Sequence, residues 1–113
     1  MKEIQSDIGF SDGEIQCYEK EGDNIVVHLT TWNDAKMKIF FRDTIGVSEF
    51  SATDISGFFE YEGRSALLKK ALAYVFDEIP EKCPYQHYFF LNTDNQPCLE
   101  IVAAEMEIHI ETG

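Results

Sequence analysis

The chain has 113 residues and carries 21 Asp and Glu against 9 Lys and Arg, a formal net charge of −12. That length fits a single domain over 1–113, and 44% hydrophobic with 13% aromatic residues is enough for a packed core, which excludes a disordered acidic tail. The charge excludes an electrostatic grip on nucleic acid or anionic membrane and favours basic proteins or cations.

No stretch approaches the roughly 20 apolar residues of a membrane span, and MKEIQSDIGF has no apolar signal-peptide core. These features lead us to expect a cytoplasmic protein. Cys17, Cys83 and Cys98 form an odd set without C-x-x-C spacing, so free thiols are expected rather than a disulfide framework or zinc knuckle.

In chain order, period-two alternation predicts a first strand over 14–20, with Ile15 and Cys17 facing away from Gln16 and Tyr18. Glu21-Gly22-Asp23-Asn24 is a turn by composition, and a second strand follows from Ile25 to Trp32. Asn33-Asp34 turns the chain into a third strand, where Met37, Ile39 and Phe41 oppose Lys36, Lys38 and Arg42. Short connections make these three a meander. The stretch 43–56 is irregular and reads as a loop or short edge strand, and Phe58–Glu62 reads as the next strand.

Ser65 to Ile79 has the spacing of an α-helix, with Leu68, Leu72, Val75, Phe76 and Ile79 on one stripe and Pro80 as its stop. A strand over 85–92 is too aromatic to have a fully polar face. Asp94-Asn95-Gln96-Pro97 turns it into a long final strand from Cys98 to Glu111. In that strand Leu99, Ile101 and Ala103 have one parity and Met106, Ile108 and Ile110 the other, so a bulge near 103–104 is needed to bring both sets to the core. The expected fold is α+β: a mostly antiparallel sheet of about six strands with one helix, about 65–79, packed on one face.

The acids are clustered. Asp43, Glu49, Asp54, Glu60 and Glu62 lie between Arg42 and Arg64 with no basic residue among them, and Asp94, Glu100, Glu105, Glu107 and Glu111 follow Cys83, again with none. Glu105, Glu107, His109 and Glu111 project to one side of the last strand about 7 Å apart, close enough to share a cation. The plainer reading is a solvated face that discourages edge pairing. No two histidines among His28, His87 and His109 have i, i+4 spacing, and no phosphate-binding glycine motif is present. Catalytic residues, metal and cofactor are therefore all assigned as none. Lys36, Lys38 and Arg42 read as charge balance for acids across the sheet. Trp32, Phe40, Phe58, Tyr88 and Phe90 fall out of phase with the aliphatic residues of their strands, as a second small core or as exposed anchors for a partner.

The segments DGEIQCYEKEGDNIVVHLTTWND, KMKIFFRD and TDISGFFEY, over residues 12 to 62, resemble the small acidic immunity proteins of bacterial polymorphic and contact-dependent toxin systems. That resemblance implies a non-enzymatic inhibitor that binds a basic, often nuclease-type, toxin domain. The residues expected to carry binding are Glu49, Asp54, Glu60, Glu62, Glu100, Glu105, Glu107, Glu111, Trp32 and Tyr88. Two alternatives stay open: an acidic interaction or scaffold domain without inhibitory role, and a small-ligand binder or enzyme using His28, His87 or a carboxylate inside a half-open sheet. Oligomeric state is open.

Overall fold

Period-two alternation becomes antiparallel pairing along most of the chain. The computed structural model describes residues 1–78 and 83–111. The elements are β1 (Lys2–Glu3), β2 (Gly13–Glu21), β3 (Asn24–Thr30), β4 (Lys36–Glu49), β5 (Asp54–Glu60), α1 (Ala66–Val75), β6 (Gln86–Asn92) and β7 (Pro97–Glu111). The α+β class with an antiparallel sheet stands, but there are seven strands, not about six. The additional one is β1, two residues that pair with Phe59 and Glu60 of β5.

The sheet order is β1-β5-β2-β3-β4-β7-β6, and β5 also pairs with β6. Six strands therefore close into a ring, β2-β3-β4-β7-β6-β5, with β1 lying beside β5. Closure removes most of the free edge that an open sheet would expose, leaving one side of β2 beyond Ile15 without a neighbouring strand among the described residues. The β5–β2 seam is the shortest, formed by Gly13↔Ile55 and Glu14↔Asp54 and extended by the Ile15 N–H donating to the Thr53 carbonyl at 2.7 Å.

One face of every strand fills the ring. Ile25, Val27, Leu29, Met37, Ile39, Phe41, Ile55, Phe58, Phe90, Leu99 and Ile101 pack there as one buried cluster. Phe58 and Phe90 stack at 4.2 Å between ring centroids, and Phe41 meets Tyr88 at 5.5 Å. Phe58, Tyr88 and Phe90 are thus interior residues. Parity alone places them opposite their aliphatic neighbours, but a register shift in β5 between Ile55 and Gly57 brings Phe58 to the side of Ile55, and β6 is apolar on both faces, so that closure decides which face is inside.

The irregular stretch 43–56 resolves into the second half of β4 and the start of β5. β4 continues to Glu49 and pairs with β7 throughout, from Lys36↔Glu111 to Glu49↔Leu99. The expected change of phase is present: Leu99, Ile101 and Ala103 belong to the core cluster, and Met106, Ile108 and Ile110 pack against it. The register irregularity itself lies on the partner strand, between Thr44 and Gly46, just after Asp43 at φ +53°. A second bulge lies in β2 between Ile15 and Cys17. It reverses the expected facing of Cys17, which is exposed while Ile15 is buried.

The helix is shorter than its apolar pattern. Ser65 is the N-cap, its hydroxyl accepting from the Leu68 N–H at 3.1 Å, and the helix ends at Val75 with Phe76 as C-cap. Ile79 and Pro80, the predicted end and stop, lie outside the described residues. Leu68, Ala71 and Leu72 pack with Tyr85 and Val102 on the outside of the ring, and Ile45, Phe76 and Ala104 border them. Val75 is 50% exposed and does not belong to the buried stripe. Gly46 permits the approach of the helix, since a Cβ there would stand 3.2 Å from that of Ala71. Among the described residues no helix is long and apolar enough to cross a membrane.

Leu72→Ala should lower stability by about 2–5 kcal/mol, whereas Val75→Ala should change it by less than about 0.5 kcal/mol. Urea midpoints of the two variants measure the contrast, and equal losses would place Val75 against the sheet.

Candidate functional site

The strands β5, β6 and β7 are too apolar for their outward sides to be simple solvated faces. Outside the ring, Phe59 stacks on Phe89 with centroids 5.6 Å apart, and Tyr61 stacks on His87 at 5.7 Å. His87 and Phe89 meet at 5.6 Å, which joins the two stacks into one run of four rings. This run floors a groove of about 520 Å³ lined by Met1, Phe59, Tyr61, His87, Phe89, Leu91, Asn95, Pro97 and Glu100. A concave, mostly apolar site with a few polar groups is the usual form of a binding site. Gly57 makes room for one wall, because a Cβ at that position would lie 2.7 Å from the Phe59 ring.

A polar chain runs beneath the groove. His87 Nδ1 lies 2.7 Å from the Ser65 hydroxyl oxygen, and His87 Nε2 lies 3.0 Å from Glu100 Oε1. One assignment of protons satisfies every atom. Ser65 accepts from the Leu68 N–H and donates its hydroxyl proton to Nδ1, and the Nε2–H donates to the Glu100 carboxylate. Burial pushes the His87 pKa below its ordinary value, against the opposing pull of Glu100. His87 is therefore neutral at pH 7.

A Ser–His–Glu connection invites a catalytic reading, but the Ser65 residue is 5% exposed and its oxygen caps α1. As folded, it presents no nucleophile to solvent. The chain of bonds ties the first turn of the helix to β6 and β7.

The other predicted residues are dispersed. Glu60 ends β5, and Glu62 lies 3.8 Å from the Met1 amino group, beside the groove that Met1 lines. Glu100 is in its wall. Asp54 is exposed and pairs in register with Glu14, an uncompensated pair of acids at the ring's shortest seam. Glu49 accepts from the Tyr18 hydroxyl and the Ala52 N–H, both at 3.2 Å. Trp32 is 61% exposed in the turn after β3, far along the sequence from the groove strands. Tyr88, expected as a surface anchor, is 7% exposed and belongs to the core.

The acidic strip of β7 meets a basic strip. Lys36, Lys38 and Arg42 lie on the neighbouring strand β4, opposite Glu111, His109 and Glu105. Lys38 bonds Glu111 at 3.1 Å, and Arg42 bonds Glu107 at 2.9 Å. His109 also reaches Glu107 at 2.9 Å. Hydrogen bonds from Arg42 first, then His109, hold the Glu107 carboxyl below its ordinary pKa. Much of this strip is locally neutralised.

Phe59, Tyr61, His87 and Phe89 escape a reading by periodicity because it assigns the opposite parity of β5 and β6 to the outside. Their one sequence signal is the aromatic density of 85–92 itself. The comparisons with known proteins supply no relative: no protein-family model, curated protein or solved structure matches this chain.

His87 yields a pH prediction. With its folded pKa below the unfolded value of about 6.5, the unfolded chain binds more protons in that range, so stability rises with pH there. The contribution is present above about pH 6.5 and is lost as pH falls towards the folded pKa. The stability advantage of the wild type over His87→Gln should therefore shrink between about pH 7.5 and about pH 5.5, read by urea unfolding at each pH. An advantage that grows on acidification would mean that His87 is charged in the fold.

Proposed function

We propose that this chain is a non-enzymatic protein-binding inhibitor of the immunity type, acting in the bacterial cytoplasm by direct binding of a basic toxin domain. The observation that supports this reading is the aromatic groove on the outside of β5, β6 and β7, bordered by Glu60, Glu62 and Glu100, which come from two stretches (43–63 and 83–111) without Lys or Arg. Such a groove accepts an apolar or aromatic side chain, and the carboxylates Glu60, Glu62 and Glu100 suit Lys or Arg beside it. Buried aromatic contacts set the lifetime of a complex of this kind. The long-range charge of −12 sets its rate of formation, up to about 10⁸–10⁹ M⁻¹s⁻¹ at low salt.

A smaller occupant is the second reading. The volume of about 520 Å³ lies within the roughly 300–1,000 Å³ of small-molecule sites, and the wall made by His87 and Glu100 gives an apolar ligand one polar point of attachment.

The test is co-expression with the protein encoded beside its gene. A one-to-one complex is expected, with an association rate that falls at least about tenfold between low and high salt and a dissociation rate raised by Tyr61→Ala. A salt-independent association rate would sink the steering argument, and the absence of a complex would sink the inhibitor reading. A neutral solvatochromic dye such as Nile red separates the second reading. Saturable binding abolished by Gly57→Val, which displaces Phe59, would favour a small ligand if no protein complex forms.

A further inference from the structure

The outer side of the β2–β3 hairpin gathers chemistry that the groove does not use. The bulge after Ile15 sets Cys17 directly opposite His28 in the register, and Glu19 follows two residues along on the same side. The Cys17 thiol, a carboxylate oxygen of Glu19 and a ring nitrogen of His28 all lie within 4.8 Å of one another. His28 Nε2 is shut off from solvent and has no hydrogen-bond partner among the described residues. Glu19 Oε2 stands 3.6 Å from it, beyond hydrogen-bond reach. A shielded ring nitrogen in that condition costs free energy, and a cation on its lone pair removes the cost.

We propose that Cys17, Glu19 and His28 form a site for a borderline-soft divalent cation, Zn²⁺ above all. The donor set decides the metal. A thiolate, an imidazole and a carboxylate suit zinc, while Mg²⁺ and Ca²⁺ select oxygen alone. Zinc bonds of about 2.0–2.3 Å arranged tetrahedrally require ligand atoms roughly 3.3–3.8 Å apart. Side-chain rotation of about 1 Å closes the difference from the observed spacing. As the metal–sulfur bond forms, the Cys17 thiol proton passes to solvent.

The surroundings admit the ion. A cavity of about 270 Å³ opens over these residues, lined also by Gln16, Thr30, Lys36, Lys38 and Glu111, so water or an outside ligand can take the fourth position. Lys38 is the cation opposite His28 in the register, and Glu111, which lines the same cavity, pairs with its Nζ at 3.1 Å and offsets its charge. The overall charge of −12 offsets what repulsion is left. The site also has a structural consequence. Beyond Ile15, β2 pairs among the described residues only with β3, and a metal bridging Cys17 to His28 would pin that otherwise one-sided stretch.

Calorimetric titration of the reduced, full-length chain with zinc chloride tests the proposal. One ion per chain should bind, and Cys17→Ser and His28→Gln should each weaken binding more than about tenfold. His109→Gln, on the β7 strip, should leave it unchanged. Cobalt substituted for zinc should show a thiolate-to-metal charge-transfer band and the visible bands of tetrahedral coordination, which reads sulfur ligation in the unmutated protein should a variant fail to fold. The absence of saturable binding, a cobalt spectrum without the thiolate band, or binding lost in His109→Gln but kept in Cys17→Ser would each overturn it.

Discussion

The pairing of β5 with β6 on one side and with β2 on the other is the constraint on which the structure depends. Without it the strands would make an open sheet with two apolar faces and two free edges. With it, one face of each strand shares a common interior, where Phe41, Phe58 and Phe90 are fully buried. The interior is filled with side chains, as a small closed sheet requires. Register shifts in β2, in β4, in β5 and where β6 meets β7 each add local twist where they occur.

Closure leaves an outside that is itself partly apolar, and two devices deal with it. The helix covers Val102 and Tyr85 through Leu68, Ala71 and Leu72. Ser65 and His87 then fix the helix in place through a hydrogen-bonded link that ends on Glu100. Beyond the reach of that helix the rings of Phe59, Tyr61, His87 and Phe89 cover one another and leave a groove. Covered and uncovered apolar surface thus meet at His87, which belongs to both.

Charge follows the same geography. Where β4 and β7 run side by side, acids and bases sit across from one another, and their ion pairs contribute little to stability because they are exposed. Their effect is to cancel field on that side. Around β5 the stretch between Arg42 and Arg64 adds five acids and no Lys or Arg, with Lys2 of β1 in register with Glu60, so the charge is unevenly spread. An asymmetric field of this kind matters for the rate at which a basic partner arrives.

The sequence by itself determined the antiparallel class, the meander of β2, β3 and β4, a helix beginning near Ser65 and the need for a change of phase in β7. Each of these is a local matter of spacing or turn chemistry, carried by residues close together in the chain. Tertiary structure alone decided what was inside. In β6 both parities are apolar and in β5 the register shifts between Ile55 and Gly57, so no rule of alternation could send Phe58 and Tyr88 inward and Phe59 and Phe89 outward; that choice required the register of the closed ring. The facing of Cys17 was equally hidden, because a bulge is set by the register with β3 and leaves no mark in β2 itself. Lys36, Lys38 and Arg42 were legible as charge balance for acids across the sheet, but the pairing of Lys38 with Glu111 and of Arg42 with Glu107, 65 or more residues away in the chain, was fixed only by the register of β4 on β7. Pairing across that distance is a property of topology, which composition and periodicity do not encode.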